Sequence, residues 1–117
     1  MTEKKRAIVS DQEGIRLEDG SRGILWQIPW STVKEIAAWK VDAFAYDIIC
    51  FGFRTTEEPS FMRCDEECEG WDELMAVLKK RYRIGLEDWF DKVAFPAFAR
   101  NFLSVWGTPV SIITLKG

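Results

Sequence analysis

The sequence predicts an α+β domain in which a mostly antiparallel sheet is capped by an amphipathic helix. Short alternating apolar segments separated by turn residues fill the first half of the chain. Trp71–Tyr82 then carries apolar residues at helical spacing. A length of 117 residues, 47% hydrophobic and 30% charged, suits one core spanning residues 1–117. Six tryptophans and eight phenylalanines supply enough bulk to fill it without a disulfide or metal staple.

Arg6–Ser10 reads as a first strand and residues 15–18 as a second, joined by the turn 11–14. Asp19-Gly20 is a hairpin signal, because both residues tolerate positive φ, and residues 22–28 return as a third strand ending at Pro29. Trp30, Val33 and Ile36 recur every three residues, a short helical turn; Ala37, Trp39 and Val41 then alternate with polar or small neighbours, a strand. In residues 47–55, DIICFGFRT, Ile49, Phe51 and Phe53 share one face and Ile48 and Cys50 the other, which predicts a central strand covered on both sides. Residues 60–64 are expected to pair with it.

Trp71, Leu74, Met75, Leu78 and Tyr82 form one helical face, with Asp72 and Glu73 in the first turn and Lys79, Lys80, Arg81 and Arg83 at the end. Gly85 marks the stop. Leu86, Trp89, Phe90 and Val93 repeat the spacing in a second short helix broken by Pro96, and residues 110–115 read as a last strand.

The order of strands before a capping helix, with the segments IPWSTVKEI, DIICFGFRT and GWDELMAVL, resembles small bacterial proteins of pleckstrin-homology-like type. The resemblance covers residues 6–83 and implies a bent sheet whose open end is plugged by the helix. Residues 86–117 form a C-terminal helical extension beyond that pattern. Phosphoinositide binding in such domains uses basic residues between the first two strands. Here that loop, Ser10-Asp-Gln-Glu-Gly, is acidic and repels phosphate.

The chain has no histidine, which removes the usual general base and the commonest metal ligand. Cys64 and Cys68, with Cys50, fall short of the four ligands of a structural zinc site, and the acids flanking them disfavour a thiolate. No glycine-rich phosphate loop occurs, so no cofactor or metal is expected. Lys40, Asp42 and Asp47 are the residues a carboxylate-based enzyme would use, if they line a pocket; otherwise they are hairpin polarity and an ion pair.

The densest chemistry is acidic. Glu57, Glu58, Asp65, Glu66, Glu67, Glu69, Asp72 and Glu73 face a single base, Arg63, a local charge of −7 in a chain whose net charge is −3. Such a face repels nucleic acid and favours a basic protein partner. The plain alternative is a solvated loop followed by ordinary acids at a helix N-terminus. Lys79 to Arg83 reads as charge complementing the helix C-terminus.

The aromatic run Phe95, Phe98, Phe102 and Trp106 is the place to expect an exposed apolar patch and a homodimer contact. The expectation is therefore a non-enzymatic protein-binding domain, most concretely an immunity- or inhibitor-type protein. A self-associating regulatory module is the second reading and the carboxylate enzyme the third. An odd cysteine count, the absence of a long apolar run and no signal-like start point to a cytoplasmic protein with no membrane contact.

Overall fold

The computed structural model describes residues 6–97 and 100–109. The chain forms two antiparallel sheets and two helices, an α+β architecture. Arg6–Ser10 (β1), Gly14–Asp19 (β2) and Gly23–Pro29 (β3) make the first sheet in the order β1-β2-β3. Glu35–Asp42 (β4), Asp47–Arg54 (β5), Met62–Asp65 (β6) and Leu103–Gly107 (β7) make the second, in the order β6-β5-β4-β7. Trp71–Tyr82 (α1) packs against β1, and Leu86–Ala94 (α2) against β4 and β7.

The β2–β3 hairpin closes differently from the sequence expectation. Asp19 pairs with Gly23, leaving Gly20, Ser21 and Arg22 as a three-residue loop, and the positive φ falls at Gly23. Asp19 organises the loop by accepting hydrogen bonds from the Ser21 amide and hydroxyl and from the Arg22 amide. Those from Ser21 hold its carboxyl below the ordinary value.

Period-two alternation decides what β4 and β5 bury. Ile36 with Phe53 and Ala38 with Phe51 face inward, where they meet Ile8, Ile15, Leu17 and Ile28 of the first sheet and Leu74, Leu78, Trp89 and Val93 of the helices. The opposite face of β4 and β5 carries a smaller cluster of Ala37, Trp39 and Cys50, covered by Val41 and Phe61. Gly52 is required there, because a Cβ would stand 2.5 Å from Cη2 of Trp39. The expectation that β5 is central and covered on both faces holds.

The face of α1 lies where its spacing puts it, with Leu74 and Leu78 buried and Trp71, Met75 and Tyr82 packed partly against the core. Its stop differs from the expected Gly85. Arg83 takes the left-handed conformation, its amide donates to the Lys79 carbonyl, and the Ile84 amide donates to Leu78. Gly85 instead opens α2, where its amide is capped by the Asp88 carboxylate at 3.0 Å.

β7 was not expected from the sequence. Residues 103–107 pair antiparallel with β4 through a bulge, placing Leu103 against Ala38 and Trp106 against Ile36. The last strand expected at 110–115, and Phe98, lie outside the described residues. Trp89 and Val93 belong to the same core as the sheets, so α2 is part of the packed body and not an appendage to it.

Candidate functional site

The end of the molecule that carries the β4–β5 hairpin also carries the turn between β6 and α1, and the sequence explains both. Asp42 and Asp47 form the last register pair of β4 and β5, leaving Ala43, Phe44, Ala45 and Tyr46 as the loop. The Ala43 amide donates to the Tyr46 carbonyl at 2.9 Å, and the Phe44 amide donates to Oδ1 of Asp42 at 2.9 Å. Phe44 has φ 72° and is 97% exposed.

The acidic turn is fixed from three sides. Asp65 accepts the Glu67 amide at 2.9 Å. Glu66 extends the β5–β6 ladder: its amide donates to the Ile49 carbonyl at 3.0 Å, and its Oε2 accepts the Ile49 amide at 2.9 Å. Glu69 is bridged to β1, its carbonyl accepting the Ile8 amide at 2.7 Å and its amide donating to the Arg6 carbonyl. Gly70 follows at φ 87°, where a Cβ would collide with the Ile8 carbonyl, so only glycine lets the turn lie this close to β1 before α1 begins. Tyr46 joins the two loops by donating its hydroxyl to Oε2 of Glu67 at 3.0 Å, an interaction that raises the phenol above its ordinary pKa.

The eight acids therefore divide. Asp65, Glu66, Glu67 and Glu69 are gathered in the turn and Asp72 and Glu73 follow on the first turn of α1; all but the half-buried Asp65 are exposed. Glu57 and Glu58 lie in the β5–β6 loop, at the other end of β6, because Phe53 pairs with Met62 there while Cys50 pairs with Asp65 here. Three residues of strand separate the two ends by about 10 Å. Glu57 faces Lys34 at 3.6 Å instead.

Asp42 and Asp47 line one cleft of about 570 Å³ with Trp39, Lys40, Val41, Arg63 and Arg100. The pocket that a carboxylate enzyme requires thus exists, but its lysine is fully engaged. Lys40 is 3% exposed and its ammonium donates to the carbonyls of Ala94 and Pro96, both at 2.7 Å, and pairs with Asp47 at 2.9 Å. Three acceptors use all three of its donors. Arg100 lies over the rings of Trp39 and Phe102.

The cysteines are all free and buried. Burial raises Cys50 to about 11 and pushes Cys64 and Cys68 upward too, the reverse of what a reactive thiol needs. Among the described residues no group of three or more Cys, Asp or Glu side chains is placed to hold a metal ion.

Among the described residues of the aromatic C-terminal run, Phe95, Phe102 and Trp106 stand in different places. Phe102 stacks on Trp39 at 5.7 Å and meets Phe61 at 5.9 Å, on the outer face of the second sheet. Trp106 meets Tyr82 at 4.6 Å, on the side of α1. Phe95 is exposed beyond the end of α2. No helix among the described residues is long and apolar enough to cross a membrane. Sequence reasoning missed the Phe44 tip, although four consecutive apolar residues between two aspartates were a readable signal, since hairpin turns favour Gly, Asn and Asp. Compared with models of known families, with curated proteins and with solved structures, the chain matches none.

Proposed function

We propose that this chain is a protein-binding domain that works without catalysis, docking a basic partner against the acidic turn between β6 and α1. The observation that carries the reading is the exposure of Glu66, Glu67 and Glu69 on a turn held by β1, β5 and Tyr46, with the exposed Asp72 and Glu73 following on the first turn of α1. A backbone already held in place loses little conformational freedom on binding, and clustered like charge steers an oppositely charged surface into register. The full engagement of Lys40 supports a structural role for the Lys40–Asp47 pair.

The most concrete form is a cytoplasmic inhibitor or immunity-type protein whose acidic end covers the basic surface of a toxin or enzyme. A pleckstrin-homology-like ancestry fits the run of strands before α1 and the burial of its apolar face, with α2 and β7 as additions. Self-association is the second reading, favoured by the exposed Leu86, Phe90 and Phe95 on and beside α2.

Affinity capture from the native cell tests the first reading, with the parent and a Glu66→Gln, Glu67→Gln, Glu69→Gln variant compared at low and high salt. Glutamine at 66 keeps an acceptor for the Ile49 amide, so the turn is retained. The expected result is one stoichiometric basic partner, lost at high salt and lost to the variant. Equal capture by parent and variant at both salts would reject docking through the acidic turn.

A further inference from the structure

We propose that Phe44, at the tip of the β4–β5 hairpin, is the apolar anchor of the docking surface. It would insert into a partner protein at a spot where an apolar patch is bordered by lysine or arginine. The inference rests on the acidic-turn reading and names the partner's chemistry. Phe44 does nothing for the fold that its position can account for. The residue is 97% exposed, so it buries almost nothing, and its backbone holds a left-handed φ of 72°, which is unfavourable for a bulky side chain. An asparagine or glycine would serve the turn better.

The tip is nevertheless well ordered by its own hydrogen bonds. Ala43 donates to Tyr46, Ala45 donates to Ala43 at 3.0 Å, and Asp42 accepts from Phe44. An aromatic ring presented on a preorganised loop loses little entropy on burial. Aromatic residues are enriched at the cores of protein interfaces.

Charge decides the occupant. Tyr46 ties the tip to Glu67 and Asp42 accepts the Phe44 amide, so carboxylates stand at the tip, whereas Arg63 and Arg100 line the cleft at the base of the hairpin. A bilayer with anionic headgroups would repel this surface. A protein patch rimmed with basic residues would meet both the ring and its surround.

The test uses the full chain and three probes: an 18-residue amphipathic helix of leucine and lysine, an oligolysine of equal charge, and phosphatidylcholine vesicles. Titration followed by amide NMR should show the amphipathic peptide shifting residues 43–46 and 66–69, and oligolysine shifting 66–69 alone. Phe44→Ser should weaken the amphipathic peptide at least tenfold while leaving oligolysine binding and the melting temperature unchanged. Glu67→Gln with Glu69→Gln should weaken both peptides.

Equal peptide affinity in Phe44→Ser, or no peptide binding at all, would overturn the anchor. If oligolysine then still depended on Glu67 and Glu69, the acidic-turn reading would survive it. If the carboxylate variant weakened neither peptide, that reading would fail and the inference with it. Vesicle binding abolished by Phe44→Ser would overturn the protein partner in favour of a lipid surface.

Discussion

Arg54 occupies a strand position where burial ordinarily selects an apolar side chain. It is 2% exposed and Glu35, directly across the β4–β5 ladder, is 1% exposed. The guanidinium donates through Nε to Glu35 at 2.8 Å, and its two terminal nitrogens reach the carbonyls of Thr56 and Thr108. One cation thus serves the Glu35 carboxylate and two backbone carbonyls. Replacing both charges with packed hydrocarbon tends to be tolerated, whereas removing one leaves the other buried without compensation. Arg54→Met is therefore expected to cost about 3–5 kcal/mol, and the Glu35→Met, Arg54→Met double variant to recover a large part of that. Urea unfolding of the parent, both single variants and the double variant measures the coupling. If the two single losses simply add in the double variant, the pair is not the unit of stability described.

Among the elements, α2 depends on a contact of the same kind. Trp89 and Val93 fix its apolar face, but its C-terminal end is held by Lys40 of β4, whose ammonium gathers the carbonyls of Ala94 and Pro96. A cation at that end also suits the helix dipole. Lys40→Met should destabilise by about 3–5 kcal/mol. Because the lost donor serves α2, amide exchange there should quicken more than in α1. A uniform change across both helices would argue that Lys40 supports the whole fold and not this junction.

These elements show what was legible in the sequence. Helix α1 and strand β5 could be read because their patterns are local: spacing along one segment settles which face is buried. β7 could not, because a five-residue segment becomes a strand only by pairing with β4, more than sixty residues earlier. Gly107 and Pro109 also drew the reading to the segment beyond. Glu35, Lys40 and Arg54 look like the polar positions of half-exposed strands, and only their partners across the fold reveal burial. The acids were visible as composition. That Glu57 and Glu58 stand at the other end of β6 from Asp65 follows from register, which no single segment contains.

For the whole molecule, a net charge of −3 conceals a separation of charge along α1. Acidic residues gather at its start, while Lys79, Lys80 and Arg81 occupy its last turn. Twelve residues of helix span about 18 Å. That exceeds the screening length of about 8 Å at physiological salt but not the roughly 30 Å at 0.01 M. A basic ligand approaching the acidic turn should therefore feel the distant lysines only when salt is low. Stopped-flow association of the leucine–lysine peptide gives the corresponding rates. The parent's on-rate should fall about tenfold or more between low salt and physiological salt, with little change in the off-rate. Lys79→Gln with Lys80→Gln should speed association at 0.01 M and leave it unchanged at physiological salt. A change of equal size at both salts would place those lysines inside the contact, and the docking surface would then have to extend along α1 from its acidic start to its basic end.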